Sequence, residues 1–187
     1  MKWQLKTLLF STGLYLFAGG LFGPIYAIFV EDIGGDLLTA GGAYSVFAIA
    51  AGVIIFLTGK LEDKIKRQEL LVIAGYAIGC MGYLGYLFVK TPFDLFIVQA
   101  IFGIGVAIGA PAYDGTYSKY LEKGRFASQW GAWESLNWIV AGISAIVGAL
   151  IASSFGFRTL FSIMFVLSLC ALVTSFMLLR RNHLRTT

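Results

Sequence analysis

Six long apolar stretches, separated by short polar segments, run along the whole chain. They cover Leu5–Phe29, Gly42–Thr58, Leu70–Val89, Leu95–Tyr113, Gln129–Ser153 and Thr159–Leu179. An α-helix rises about 1.5 Å per residue, so stretches of this length can cross a hydrocarbon core about 30 Å thick. The pattern therefore predicts six transmembrane helices, here called predicted helices 1 to 6, in a single domain over residues 1–187.

The composition supports a membrane environment. Hydrophobic residues make up 58% of the chain and charged residues 13%, and the mean hydropathy is +0.82. A soluble domain of this size needs a more polar surface. The basic start, Met1 to Lys6, runs into an apolar stretch too long for a signal peptide, so we interpret it as the first spanning helix. Cys80 and Cys170 lie in apolar stretches and are expected to pack as small hydrophobic residues.

Charged residues are divided unequally between the two ends of the predicted helices. With the N-terminus inside, 12 of the 14 basic residues lie on the inner side. These are Lys2, Lys6, Lys60, Lys64, Lys66, Arg67, Lys119, Lys123, Arg125, Arg180, Arg181 and Arg185. Basic residues concentrate on the cytoplasmic side of membrane proteins, so we expect both termini in the cytoplasm and the protein in the plasma or inner membrane. The net charge of +4 then reflects topology and gives no indication of nucleic-acid binding.

A weak internal repeat relates predicted helices 1–3 to predicted helices 4–6. The matching residues are Gly19, Gly23, Pro24 and Tyr26 against Gly105, Gly109, Pro111 and Tyr113, and Gly42-Ala43-Tyr44 with Ala51-Gly52 against Gly131-Ala132-Trp133 with Ala141-Gly142. Predicted helices 1 and 4 cross in opposite directions, so this would be a 3+3 inverted repeat, which secondary transporters use. Chance similarity between glycine-rich apolar segments is the alternative.

The loop after predicted helix 2 resembles the signature loop of the major facilitator superfamily. The matching residues are Gly59, Leu61, Asp63, Lys64 and Arg67. Two positions depart from the family pattern, because Lys66 replaces its second glycine and Gln68 its last basic residue. A solvated charged loop is the alternative interpretation of this segment.

Two further segments resemble the same family. Gln99, Gly103 and Gly105 have the spacing at which many proton antiporters of the superfamily carry Arg, Gly and Gly, and residues 155–158 with Phe161 resemble its Gly-aromatic-Arg turn. The glutamine in place of arginine is unfavourable for the antiporter mechanism that uses that arginine. Predicted helix 5 likewise lacks the Gly-Pro element typical of antiporters, with Ser144 and Ala145 in that region. The resemblance covers nearly the whole chain and implies an all-α membrane fold equivalent to the N-terminal six-helix half of such a transporter.

A six-helix half implies a second wall for the substrate cavity. In the family, substrate sits near the membrane midplane between two six-helix bundles, and a lone bundle would expose polar groups to lipid. We expect a parallel homodimer in which helix 2 of one copy packs on helix 5 of the other. Small residues there would permit close approach, although packing within one bundle explains them equally well. They are Gly42, Ala43, Ser45, Ala48 and Gly52, and Gly142, Ser144, Ala145 and Gly148.

The resemblance also implies a conformational gating loop formed by Gly59, Asp63, Lys64 and Arg67. Asp63 would lie near the inner N-terminus of the partner's helix 5. Free backbone N–H groups and the helix dipole attract a carboxylate at that end, so Asp63 would stabilise the outward-open state. A merely solvated Asp63 is the alternative.

Glu134 is the main candidate for proton coupling. It lies about 9 Å along predicted helix 5 from the inner end, with Asn137 and Trp138 on the same face. An ionisable group at that depth is costly and usually faces a cavity or a partner. A glutamate paired with a basic residue of the preceding loop, Lys119, Lys123 or Arg125, is the alternative.

The other cavity candidates are Gln99, Tyr26 and Tyr113, for each of which ordinary packing is the alternative. Asp114, at the inner end of predicted helix 4, is expected to form a structural ion pair with the basic loop that contains Arg125, and a proton or cation site like that of Glu134 is the alternative.

No nucleophile with a base, no metal-ligand spacing and no phosphate-binding glycine loop occurs in the sequence, so we expect neither an enzyme nor a cofactor. We expect a secondary transporter that moves a small organic solute by alternating access as a homodimer, with protons coupled through paired Glu134 residues. The alternatives are a non-transporting membrane scaffold or accessory subunit, and a half transporter that needs a different partner chain.

Overall fold

The computed structural model describes residues 1–62 and 64–179, without the side chains of residues 60–62. All regular structure in this part of the chain is helical: α1 (Trp3–Gly20), α2 (Tyr26–Asp32), α3 (Leu37–Glu62), α4 (Gln68–Tyr86), α5 (Pro92–Tyr120) and α6 (Phe126–Ser175). Short 3-10 turns cover Gly23–Ile25 and Phe176–Leu179. Five segments within the described residues are long and apolar enough to cross a membrane, which confirms the prediction of an all-α membrane fold.

The last of these segments, Phe126–Leu179, contains two of the six predicted helices. A straight helix of its 54 residues would be about 80 Å long, far more than the hydrocarbon core. The backbone is non-helical at Gly156, where φ is 79°, a value that glycine adopts readily. Trp130 before this glycine and Leu178 after it pack on the same buried cluster around Leu5, so the chain reverses direction at Gly156. We call the two arms α6a (residues 126–155) and α6b (residues 157–175).

Two proline residues have different effects on the helices. Predicted helix 1 is interrupted after Gly20 and resumes as α2, because Pro24 has no backbone N–H to donate and its ring restricts φ. Pro111 lies inside α5 without ending it, as membrane helices tolerate where neighbouring helices surround the freed carbonyl. Because α5 continues to Tyr120, Asp114 lies within the helix and not at its end, where we had predicted it.

α1 and α4 interlock through tyrosine and glycine. Tyr15 of α1 lies on Gly79 of α4, and Tyr83 of α4 lies on Gly19 of α1. The hydroxyls of Thr12 and Tyr76 are 2.6 Å apart, and these two residues have the same separation in sequence as each of the other two pairs. Because contacts with a constant separation follow one another along both helices in the same order, α1 and α4 run parallel. A side chain at either glycine would displace a buried tyrosine.

α5 packs between α4 and α3. A Cβ at Gly75 of α4 would lie 2.6 Å from the Cα of Gly109, and one at Gly103 would lie 2.6 Å from the Phe47 carbonyl of α3. Glycines therefore let α5 approach both neighbours at backbone distance. α3 packs against this one helix over most of its length and leaves its opposite side open.

Several small residues predicted at a dimer interface pack inside the bundle instead. Gly42 lies against the Phe96 ring, and Ala43 is fully buried. On α6a, Ser144 fits against Gly20, and Gly148 fits against the Leu21 carbonyl. These residues pack within one bundle because α3 and α6a each need a face of small residues on which the neighbouring helix can approach closely. The outward-facing members of the predicted set are Ser45, Ala48, Gly52 and Gly142.

Candidate transport site

Among the described residues, a cavity lies toward each end of the bundle. We call outer the end at which α5 begins and inner the end at which α1 begins. The outer cavity has a volume of about 280 Å³ and lies between α1, α3, α4 and α5, with α2 and α6b each adding one residue to its lining. The inner cavity has a volume of about 190 Å³ and lies between α1, α4, α5 and the start of α6a.

The outer cavity contains a hydrogen bond between two of the candidate residues. Gln99 is only 7% exposed, and its Nε2 donates to Tyr26 Oη at 2.9 Å. The two residues are 73 positions apart in the chain, and the fold brings them together. Because Tyr26 Oη accepts this hydrogen bond, its own O–H is free to donate to a ligand.

Aromatic rings form most of the remaining wall of the outer cavity. Phe22 makes edge contacts with Tyr26 and Tyr86 at centroid distances of 5.4 and 5.0 Å, and Tyr83 makes one with Phe102 at 4.8 Å. Such a cavity can hold an apolar or aromatic molecule and orient it through one polar group. The tyrosines of α4 were not among the candidates predicted from the sequence. Their helical spacing in an otherwise apolar stretch was the signal that could have identified them.

Tyr113 lies in the inner cavity and not beside Gln99 and Tyr26. Its ring is 7% exposed, and its buried Oη makes no hydrogen bond within the described residues. The neighbouring Thr12 hydroxyl gives its only proton to the Leu8 carbonyl at 2.7 Å, so it has none to donate to Tyr113 Oη. A buried polar group without a partner costs about 1–3 kcal/mol. The hydroxyl oxygen of Tyr113 is therefore available as an acceptor to a molecule in the cavity.

Tyr15 and Tyr83 separate the two cavities. Tyr15 lines the inner cavity and Tyr83 lines the outer one, and their rings meet edge to face at a centroid distance of 5.7 Å. Tyr15 also stacks on Tyr76 at 4.8 Å. The candidate residues that we grouped in one cavity therefore occupy two compartments divided by a pair of rings.

Three further candidates lie on the outward face of α6a. Trp138 is 75% exposed, Glu134 is exposed, and Asn137 is partly buried. None of the three lines either cavity. In the part of the chain that the structure describes, Glu134 forms no ion pair with Lys119 or Arg125. Its carboxylate thus points away from its own bundle.

Asp114 and Arg125 do not pair with each other. Arg125 Nη1 lies 3.5 Å from a Glu122 carboxylate oxygen, since the two residues share a short loop. A hydrogen bond from the Met1 amino group, together with the charge of Arg125, lowers the pKa of Glu122. Asp114 has no ion pair among the described residues, because it lies about 9 Å up the helix from that loop and lines the inner cavity.

The proposed gating loop is only partly described. Asp63 lies outside the described residues. Gly59 belongs to α3, and outside its own helical turn no atom of the described side chains and backbone lies within 4 Å of the position that a Cβ would take. Lys64 and Arg67 are exposed.

The sequence profile of the Major Facilitator Superfamily matches residues 8–186. This chain belongs to the major facilitator superfamily. The match agrees with the all-helical membrane bundle, and the superfamily is one of membrane transporters and not of enzymes.

Three relatives of this superfamily member are named as transporters or resistance proteins. The multidrug resistance protein MdtG of Yersinia enterocolitica is 28% identical over 184 residues, which cover 96% of this chain and 44% of that protein. An uncharacterized MFS-type transporter of Methanocaldococcus jannaschii is 27% identical over 158 residues, or 84% of this chain and 41% of the relative. The multi-drug resistance efflux pump PmrA of Streptococcus pneumoniae is 25% identical over 166 residues, which cover 87% of this chain and 41% of that protein. The chain spans less than half of the length of these relatives.

Proposed function

We propose that this chain forms one six-helix wall of a secondary transporter that carries a small organic solute by alternating access. The observation that carries this proposal is the hydrogen bond between Gln99 and Tyr26 inside the outer cavity. A polar pair at membrane depth is costly to maintain, and such groups in membrane proteins commonly belong to substrate or ion pathways. Superfamily membership and the names of the relatives support the same class of function.

The opposite wall is a second, parallel copy of this bundle. α3 and α6a support this proposal because both carry open faces on which small residues recur. Outside their own helical turns, no atom of the described residues lies within 4 Å of a Cβ position at Gly52 of α3 or Gly142 of α6a, so another helix can approach them closely. Glu134 lies on the same face of α6a, and a carboxylate within a membrane span requires water or a partner rather than lipid.

Glu134 couples transport to protons in this proposal. The two copies of Glu134 would face the shared space between the bundles, where protonation removes the cost of the charge. Asn137 and Trp138 flank it on the same face. The two termini lie in the cytoplasm and the protein lies in the plasma or inner membrane, as the distribution of basic residues favours.

Flux through reconstituted protein tests the function. The purified chain is placed in liposomes and a panel of small organic solutes is assayed, with and without a pH gradient. We expect flux of at least one solute above that of empty liposomes, and loss of this flux in Gln99→Leu and Tyr26→Phe. A stable dimer that moves no solute would instead favour a membrane scaffold or accessory subunit. Flux that requires a second, different six-helix chain would favour a half transporter with a different partner.

A further inference from the structure

The inner cavity contains an unneutralised acidic group beside an unpaired hydroxyl. Asp114 lies on this cavity, and Tyr113, the preceding residue of α5, supplies the buried Oη that has no hydrogen-bond partner among the described residues. None of the described residues that line the cavity is basic. The cavity therefore offers negative charge and a hydrogen-bonding oxygen, and no described residue of its lining neutralises that charge.

The walls of the inner cavity are aromatic. The rings of Tyr113 and Trp133 lie 4.8 Å apart, and those of Tyr15 and Tyr76 stack at 4.8 Å. The faces of tyrosine and tryptophan rings attract cations, most strongly where water is scarce. The ring faces and the carboxylate of Asp114 therefore both favour a positively charged ligand.

The backbone gives this cavity a defined shape. Gly75 and Gly109 let α4 and α5 meet at backbone distance along one side. On another side, the hydrogen bond between Thr12 and Tyr76 joins α1 to α4. The volume of about 190 Å³ is below the range of roughly 300–1,000 Å³ that drug-sized ligands occupy. The occupant must therefore be small.

We propose that the inner cavity binds a small protonated organic amine. The carboxylate of Asp114 provides the counter-charge, Tyr113 Oη accepts a hydrogen bond from the ammonium N–H, and Trp133 covers the apolar part of the ligand. This deepens the proposed function by naming a class of substrate, and it rests on that function only for the movement of the amine. Binding itself requires one folded bundle.

Calorimetric titration of the purified protein in detergent with benzylammonium tests the proposal, and benzyl alcohol serves as a neutral probe of the same size. We expect benzylammonium to bind and benzyl alcohol to bind at least about tenfold more weakly, since an ionic hydrogen bond accounts for about that factor. Asp114→Asn is expected to weaken benzylammonium binding about tenfold or more. Asp32→Asn, which removes the same charge from the outer end of the bundle, is expected to leave the affinity unchanged.

Tyr113→Phe keeps the test informative if Asp114→Asn folds poorly. The hydroxyl has no hydrogen-bond partner among the described residues, so its removal is expected to leave the unfolding temperature unchanged or higher, while the affinity falls about three- to tenfold. Equal affinity for the charged and neutral probes, or full affinity in a folded Asp114→Asn or Tyr113→Phe, would overturn the proposal and favour a cavity that holds only water. Amine binding without flux would overturn the proposed transport function but keep the amine site. Flux of other solutes without amine binding would overturn the amine site but keep the transport function.

Discussion

The hydroxyl of Tyr15 in α1 occupies the space in which a side chain on Gly79 of α4 would begin. The contact joins two parallel helices at the level that separates the outer cavity from the inner cavity. A glycine at residue 79 therefore decides where the Tyr15 ring sits, and with it the wall between the two compartments.

Gly79→Ala is expected to destabilise the bundle by about 1–3 kcal/mol, because the added methyl group must displace a buried ring. Gly41→Ala is the matched control, since position 41 lies within α3 with open space around it. There the substitution is expected to be neutral or to raise stability by about 0.5–1 kcal/mol through helix propensity. Thermal unfolding in detergent measures both variants, and equal unfolding temperatures would contradict the close contact between Tyr15 and residue 79.

The pair formed by Gln99 and Tyr26 is expected to show energetic coupling. In a double-mutant cycle with Gln99→Leu and Tyr26→Phe, the coupling free energy should be about 0.5–1.5 kcal/mol, the usual value of one hydrogen bond. Chemical unfolding of the four proteins provides the measurement. Strictly additive effects would show that the two side chains do not act together.

Cysteines placed at Gly52 and Gly142 are expected to crosslink between two copies of the chain. Both positions are open on the bundle surface, and small residues let membrane helices approach closely. The experiment uses a background in which Cys80 and Cys170 are replaced by alanine, and a dimer band on a denaturing gel is the readout.

A cysteine pair on α6b serves as the control for that experiment. Val166 and Val173 are exposed but lie on the other arm of the α6 hairpin, so they are expected to give no dimer band. Equal crosslinking at both pairs would indicate random collision, and crosslinking at neither would contradict the parallel dimer.

Glu134→Gln is expected to abolish the dependence of flux on a pH gradient while the protein still folds. The side chain is exposed on the lone bundle, so its neutral form removes no intramolecular contact among the described residues. Glu31→Gln, at the outer end of the bundle, is the control and should retain the dependence. Liposome flux at matched and unmatched pH gives the answer, and an intact pH-driven flux in Glu134→Gln would exclude this coupling role.

Asp63→Ala is expected to shift the transporter toward the inward-open state. A carboxylate at a helix N-terminus contributes about 0.3–2 kcal/mol, enough to change a two-state population severalfold. The rate at which a maleimide labels a cysteine on the inner face reports the shift. Glu122→Gln removes an acidic group from another inner loop and is expected to leave labelling unchanged. Unchanged labelling in Asp63→Ala would remove the gating role.

Apolar length made the membrane helices predictable. Six apolar stretches appear in the sequence because each must cover about 30 Å of hydrocarbon. The structure joins the last two into one segment that reverses at Gly156, and it interrupts the first near Pro24. The boundaries differ most for α5, which continues to Tyr120. Polar loop residues can extend a helix that already has a long apolar part. Hydropathy therefore locates the membrane-spanning part of a helix better than the residue at which the helix ends.

The candidate site was predictable as a set of residue types but not as an arrangement. Gln99, Tyr26 and Tyr113 stand out as polar groups in apolar stretches, yet the first two meet in the outer cavity and the third lies in the inner one. Asp114 was predicted to pair with Arg125, whereas it lines the inner cavity. Which polar groups meet depends on how each helix is rotated about its axis.

The sequence by itself determined the membrane environment, the all-α fold class and the superfamily, because these depend on composition, length and local motifs. Only the tertiary structure decided which face of each helix points inward. In a soluble protein an apolar stripe marks the inner face of a helix. A membrane helix is apolar toward lipid and toward its neighbours alike, so helix rotation depends on close packing, such as that of Tyr15 on Gly79.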